Sequence, residues 1–461
     1  MDKIIKPAKR VAGKIRLLGD KSISHRAAIL GALANGDTTL VNYSTSQEFK
    51  ATLQCLAQLG VDIEYAEETE QPTIVIHGKG IEGLTQPERP LDAGNSSATV
   101  RLLMGLAAAC PFEIEFTGSE KLKGRPMLRV IEPMEKMGAT VESDNFRVPV
   151  KILGGSLQGI RYIMPLSTSQ VKGAVLTAGM FAEGKTELIE RIPSRDHFER
   201  LMVQMGMKFK KEKIQPPQPK DEDDELERRL KKLTKNNVLE PRGDMYILEG
   251  GQRPQPGMNL EIPGDISASA LFTAAAVLVK NSDLVIEDVC LNPTRIGFLD
   301  ILDKMRAVIT FEANSRRGYE PIGTITAKNG PLKGRRIVGE TIPTIIDELP
   351  IMAIIATQAQ GTTVIRDAFE LRHKETDRIK VVVSNLRKMG ARIGELEDGM
   401  AIDGGTELEG AEITTYGDHR IAMAFAIAGL VARGETVIKD AECVTTSHPS
   451  FWEDLESIVE Y

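Results

Sequence analysis

Long apolar runs are missing from this chain. None approaches the roughly 18 consecutive residues that a membrane-spanning helix needs. The start, MDKIIKPAKR, has no apolar core of the signal-peptide kind. Cysteine is scarce as well. The four cysteines, at 55, 110, 290 and 443, lie far apart with no CxxC pair. That argues against a disulfide framework or a zinc site and fits a reducing cytoplasm. Excess positive charge is also lacking: 58 Lys and Arg stand against 65 Asp and Glu, a net charge of −7 with a pI near 5.7. This balance disfavours general nucleic-acid binding, so any anionic ligand must be held by local, concentrated positive charge. What remains is 41% hydrophobic and 27% charged residues over 461 positions. That is the make-up of a soluble globular protein long enough for two or three domains.

Three short patterns recur. The first is a glycine turn followed by alternating residues: NGDTTLVN from Asn35, EGKTELIE from Glu183, QGTTVIRD from Gln360 and RGETVIKD from Arg433. It predicts a turn and a strand. The second ends amphipathic segments at Gly60, Gly138, Gly206 and Gly390, with LDKMRAVI as a degenerate copy. The third is a polar start before an apolar run: DKSISHRAAIL, GNSSATVRLLM, STSQVKGAVL, GDISASALF, IIDELPIMAI and YGDHRIAMAF. Their order is constant, so one α/β unit occurs about six times at roughly 70- to 100-residue spacing, too long for a solenoid repeat. Three units per domain give two domains of about equal size, with a boundary near GGQRPQPG at 250–257. The short segment before GDKSISHR could pair with either half. The charged stretch from about 211 to 236 breaks the scheme and reads as an insertion: a Pro-rich tether, then a solvated helix with Leu226, Leu230 and Leu233 on one side.

The polar starts point to an anion. Helix N-termini expose unpaired N–H groups and partial positive charge. If equivalent units stack alike, three such ends point the same way in each domain, and two facing domains enclose an anion-attracting cleft. Plain capping would account for Ser22, Asn95, Thr168 and Asp418. It does not account for Lys21, Arg26, Arg101, Lys172 and Arg420, which sit in or near those starts and oppose the macrodipole. In RHKETDR, 372–378, a helix would put Lys374 and Arg378 on one face, with Glu375 three residues from Arg378. Asp347 and Glu348 are acids amid apolar residues, so one of them should meet a cation or a ligand hydroxyl. In KLKGRPM, Arg125 precedes a proline, in a loop or at a helix start.

With GDKSISHR, GNSSATVR, GRPM, STSQVK, SRDH, IIDELP, RHKETDR and GDHRIAM in this order, the chain resembles the 5-enolpyruvylshikimate-3-phosphate synthase family over nearly its whole length. DKSISHR and IDELP resemble its bacterial class II branch. The resemblance implies an α/β (α+β) fold: a two-domain inside-out α/β barrel of the enolpyruvyl transferase type, with six βαβαββ repeats, three per domain. It assigns residues 20–252 to one domain and 1–19 with 253–461 to the other, with the active site in the cleft between. It implies a cytoplasmic monomer that acts on small molecules, with no cofactor and no metal, because arginines and lysines supply the positive charge.

The resemblance also implies roles. Lys21 touches both substrates. Ser22, Arg26, Thr168, Ser169, Gln170 and Arg195 hold shikimate 3-phosphate, with Asp347 and Lys374 reaching it from the other half. Arg125, Arg378 and Arg420 clamp phosphoenolpyruvate, and Asn95, Ser97 and Gln170 border it. Glu375 is the expected acid/base at C3 of phosphoenolpyruvate, while Asp347 and Lys21 bracket the 5-hydroxyl of shikimate 3-phosphate. Two positions depart from the family: Ser97 stands where most members have glycine, and Thr446 where many have lysine. The first shortens the pocket in which glyphosate, longer than phosphoenolpyruvate, would lie. Two rivals remain. The same-fold UDP-N-acetylglucosamine enolpyruvyl transferases use a loop cysteine, which Cys110 in AAACPF does not match. A repeat-built interaction protein would scatter its polar residues rather than gather them at one phase of the repeat.

Overall fold

The apolar stretches behind the polar starts form six helices: Lys21–Leu33, Ser97–Ala109, Ser169–Phe181, Ile266–Leu278, Leu349–Gln358 and His419–Val431. Ala, Leu, Ile and Met, which lose little side-chain freedom in a helix, recur through them. None has a polar face. Every residue of Ile266–Leu278 is buried, and so is every residue of Lys21–Leu33 from Ile23 onward. A helix apolar all round must be enclosed all round. In this computed structural model, which describes residues 1–67, 69–214, 243–318 and 320–461, sheets enclose them.

Six sheets are present among the described residues, and five share one order. A short strand runs parallel to the strand after the apolar helix; that strand pairs antiparallel with a third, and the third with a fourth. Leu91–Asp92, Glu113–Thr117, Val150–Leu153 and Thr140–Ser143 give one example. Arg336–Ile337, Thr362–Ile365, Gly399–Asp403 and Arg392–Leu396 repeat it in the other half. The expected glycine turns are left-handed: φ is 88° at Gly60, 109° at Gly138, 80° at Gly206 and 82° at Gly390. The degenerate copy keeps the turn without the glycine, with Arg306 at φ 65°.

The halves exchange strands. Near the N-terminus, Lys3–Ile5 pairs with Thr436–Ile438 and Arg10–Arg16 with Asp283–Cys290, so this segment joins the later half. In return Met258–Glu261 pairs parallel with Asn35–Val41. That strand lies beyond the division drawn at 252/253, and Leu260 and Ile262 pack into the earlier half's core. The Pro/Gly-rich stretch before it is therefore followed by one more strand of the same half. The two crossings run side by side. Asp20 N donates to Pro263 O at 2.8 Å, and Asp265 N to Leu18 O at 3.0 Å. Gly19 sits between them, where a Cβ would come 1.8 Å from Asn42 O.

The expected insertion begins too early. Phe209–Ile214 is a strand paired with Gly243–Glu249, and Lys211 and Lys213 reach Asp244 at 2.9 and 2.6 Å. Its charge density belongs to a sheet edge, where lysines blunt pairing with other chains. The rest of the 211–236 stretch, including Leu226, Leu230 and Leu233, lies outside the described residues. Among the described residues, no helix is long and apolar enough to cross a membrane.

Candidate active site

Five of the six helices have a side-chain cap. Asp20 accepts from Ile23 N, Ser96 from Thr99 N, Thr168 from Gln170 N, Asp265 from Ser267 and Ala268 N, and Asp418 from Arg420 N. Thr168 and Asp418 are where capping was expected. Ser22 and Asn95 are not the caps: neighbouring acids and hydroxyls look alike in sequence, and the backbone turn selects Asp20 and Ser96. Ser22 is left free to accept from Arg26 Nη1 at 2.8 Å. The starts of all six helices border one cavity between the halves.

Ten lysines and arginines and six carboxylates line that cavity, a local excess of positive charge in a chain of net charge −7. Lys21, Ser22, Arg26, Ser97, Arg125, Thr168, Ser169, Gln170 and Arg195 lie on the wall from the earlier half; Asp347, Lys374, Glu375, Arg378 and Arg420 face them. Arg26 joins two helix starts, donating to Ser22 and to Ser169 Oγ at 3.1 Å. Burial, with Arg195 nearby, lowers its pKa to about 10. Arg101 donates to Gln170 Oε1 at 2.7 Å. Burial and the neighbours Arg129 and Arg125 bring it down to about 9, still cationic at neutral pH. Arg125 occupies the loop between Glu120–Lys123 and Leu128–Lys136 and donates to Ser97 Oγ at 3.0 Å.

Carboxylates of the later half reach cations of the earlier half. Arg195 pairs with Asp347. Glu375 lies 2.8 Å from Arg125 Nη2 and accepts from Arg378 Nη2 at 2.6 Å. Glu370 lies 3.3 Å from Arg129. Burial would push the Glu375 carboxyl up, yet Arg378 and Arg125 hold it well below the usual carboxylate range. Burial likewise opposes the charge on Asp347, and Arg195, Lys374, Arg420 and Arg378 hold it well below that range. Asp418 accepts from Arg378 Nε at 2.9 Å and Nη2 at 3.2 Å, which fixes that guanidinium at the cavity edge. Glu348 takes the Ser267 hydroxyl instead, so both acids of IIDELP find partners.

Some expectations fail. Asn95 is not on the cavity wall. It borders an adjoining hollow with Thr446, and Glu48, which pairs with Lys21, lines both. Lys172 is fully buried, 2.9 Å from Glu190 and 2.7 Å from Glu199. Burial works against its charge, but Glu199 and Glu190 prevail and raise its pKa; it neutralises core acids away from the cavity wall. No helix spans RHKETDR: a 3-10 turn covers Phe369–His373, and the helix Arg378–Lys388 begins only after it. Lys374 and Arg378 still converge, 3.9 and 3.8 Å from Asp347. Residues given no role from the sequence also line the cavity: His25, Glu48, Arg129, Arg295, Glu370 and His419. His25 and His419 lie inside the motifs GDKSISHR and GDHRIAM, and Arg129 lies four residues beyond Arg125; the other three had no cue.

Below the cavity, His197, Cys290 and Glu320 cluster closely enough to suggest a metal. The donors around them say otherwise. Asn292 Nδ2 donates to Glu320 at 2.9 Å, His197 Nδ1 lies 2.8 Å from Glu320, and the Arg295 guanidinium lies 3.4 Å from His197 Nε2. A fixed cation beside the imidazole opposes a second one, so the trio is a hydrogen-bonded link between the halves.

Comparisons with known proteins agree with this geometry. A family model described as EPSP synthase (3-phosphoshikimate 1-carboxyvinyltransferase) matches residues 5–225 and 224–455. A 3-phosphoshikimate 1-carboxyvinyltransferase of Desulforamulus reducens is 42% identical over 461 residues, covering 100% of both chains. One from Bacillus thuringiensis (strain Al Hakam) is 41% identical over 460 residues, covering 99% of each. Among solved structures, an EPSP synthase of Acinetobacter baumannii superposes with a TM-score of 0.82 at 36% identity, over 99% of this chain and 98% of that one. The enolpyruvyl transferase NikO of Streptomyces tendae shares the fold, with a TM-score of 0.73 at 17% identity over 99% and 97% of the chains. With the matches running through both halves, and with six apolar helices opening on one cationic cleft, the chain belongs to the EPSP synthase family.

Proposed function

We propose that this chain catalyses the reaction its relatives are named for: transfer of the enolpyruvyl group of phosphoenolpyruvate to the 5-hydroxyl of shikimate 3-phosphate, with release of phosphate. The observation that carries the reading is the cationic cavity at the convergence of six helix starts. Both substrates carry a carboxylate and a phosphate, and guanidinium forks fit both groups bidentately.

The division of labour follows the walls. Ser22, Arg26, Thr168, Ser169, Gln170 and Arg195 take shikimate 3-phosphate, with Lys374 and Asp347 closing over it. Arg125, Arg378 and Arg420 take phosphoenolpyruvate. Lys21 lies between them. The 5-hydroxyl oxygen bonds to C2 of phosphoenolpyruvate as its proton leaves toward Asp347 or Lys21, and C3 gains a proton from Glu375. In the resulting tetrahedral intermediate the C2–O bond to phosphate breaks, C3 returns a proton, and the enol ether remains. Glu375 is held ionised by the two guanidiniums that phosphoenolpyruvate needs. As substrate anions draw those guanidiniums away, the carboxylate loses its counter-charges and its pKa rises. Binding thus turns a fixed carboxylate into a proton carrier. The halves move about the paired crossings near 17–21 and 262–266.

The test is phosphate release from purified protein with phosphoenolpyruvate and either acceptor. Release with shikimate 3-phosphate is expected. Release only with UDP-N-acetylglucosamine would favour the same-fold rival, and none with either would favour a non-catalytic protein.

A further inference from the structure

His25 lies one turn into the helix Lys21–Leu33, on the wall of the same cavity, and is 1% exposed. Its ring meets Phe49 edge-on, with centroids 5.6 Å apart. A line of hydroxyls leads away from it. Nδ1 is 2.7 Å from Thr52 Oγ1, which is 2.7 Å from Thr99 Oγ1, which is 2.8 Å from Ser96 Oγ. Nε2 is buried and has no hydrogen-bond partner among the described residues. A buried polar atom left unpaired is costly, and on the wall of a ligand cavity it marks a place for a ligand atom.

Each hydroxyl has one proton to give, so the chain runs in one sense at a time. Thr99 Oγ1 lies within donating distance of Ser96 Oγ at 2.8 Å and of Glu48 O at 3.3 Å, and Ser96 Oγ accepts from Thr99 N at 3.2 Å, so the line can run in either sense. An anion in the cavity selects the sense in which Thr99 donates to Thr52 and Thr52 to Nδ1, so that the proton of the neutral ring sits on Nε2. The opposite sense would aim a lone pair into a cavity built for anions. Burial, Lys21 and Arg26 all push the imidazole well below its ordinary pKa, so the ring is neutral at working pH.

We infer that His25 donates its Nε2–H to an anionic oxygen of phosphoenolpyruvate, an assignment that rests on the enolpyruvyl-transfer reading. The side of the cavity follows from helix geometry. Ser22 and Arg26 share one stripe, which turns to Ser169. Lys21 and His25, also four apart, share the next stripe, which turns to Thr52 and Thr99. The hydroxyl line ends on Ser96 and Thr99, either side of Ser97, where Arg125 donates. A neutral donor orients the anion without adding repulsion among the surrounding guanidiniums.

Two variants test this. His25→Phe keeps an edge-on ring and removes the N–H. Thr52→Val keeps the ring and removes the donor to Nδ1, releasing the tautomer. In both, KM for phosphoenolpyruvate should rise about 10- to 100-fold, while the Kd for shikimate 3-phosphate alone, by calorimetry, stays within about twofold. Nitrogen NMR of ¹⁵N-histidine wild-type protein should show His25 Nε2 protonated once phosphoenolpyruvate is bound. An unchanged KM in His25→Phe, equal weakening of both substrates, or an unprotonated Nε2 in that complex would overturn the assignment while the reaction stands. A wild-type protein that releases no phosphate would overturn the reaction and the assignment together.

Discussion

At Ser97 the family resemblance leads to an expectation of glycine, and the residue's surroundings give that difference consequences. The side chain is 6% exposed on the cavity wall, and its hydroxyl accepts from Arg125. A Cβ and hydroxyl here take up room that a glycine would leave, and they occupy one donor of an arginine assigned to phosphoenolpyruvate. Glyphosate, the longer ligand, loses more. Overpacking costs about 1–3 kcal/mol, roughly 5- to 150-fold in affinity. The wild type should therefore be weakly inhibited, and Ser97→Gly should become markedly more sensitive. The inhibition constant against phosphoenolpyruvate measures this; equal, tight inhibition of both would mean that the side chain at 97 does not meet the ligand.

At the scale of the element, the Gly turn after each amphipathic helix is a backbone requirement. Arg306 fills it with a φ of 65° and still donates its N–H to Asp303 O at 2.8 Å. The left-handed conformation costs a non-glycine residue about 1–2 kcal/mol, while glycine loses about 0.5–1 kcal/mol more on folding. Arg306→Gly should accordingly raise stability by up to about 1 kcal/mol, read from the midpoint of urea unfolding. Gly390→Ala is the converse. Its added Cβ meets nothing within 4 Å, so the left-handed backbone cost, less the unfolded-state freedom that glycine loses, should lower stability by up to about 1 kcal/mol. A destabilised Arg306→Gly would show that the side chain, not the turn, matters there.

Across the whole molecule, carboxylates of one half hold cations of the other, and pH should reveal it. Asp347 and Glu375 have depressed pKa values in the folded protein. A depressed carboxylate contributes stability that is fully present above its unfolded pKa, about 4, and is lost as pH falls through the folded value. The halves should therefore stay together from pH 7 down to about 5 and part only below about 4. Small-angle scattering across that range checks this: a radius of gyration already rising between pH 7 and 5 would mean that other groups hold the cleft. Shikimate 3-phosphate, supplying anions to both walls, should preserve the compact form at lower pH.

Six helices and the turns at Gly60, Gly138, Gly206 and Gly390 were legible in the sequence, because backbone preference and apolar periodicity act over a few residues, whereas Arg125 was open between a loop and a helix start. The gathering of Lys21, Arg26, Ser169, Arg195, Asp347, Glu375 and Arg420 at one cavity was legible too, once family motifs gave them an order. What local pattern left open was settled by packing. Lys172 and Arg26 look alike beside their helix starts, yet one meets two core glutamates and the other two serines, because sheet and helix neighbours distant in sequence determine where a cation points. Asn95 lost its place on the cavity wall to a one-residue difference in where the helix starts. Met258–Glu261 and Arg10–Arg16 crossed between halves to supply the parallel partner of Asn35–Val41 and of Asp283–Cys290, pairings between segments more than 200 residues apart. Glu48, Arg295 and Glu370 border the cavity through contacts tens to hundreds of residues away, and no spacing rule along the chain encodes such neighbours.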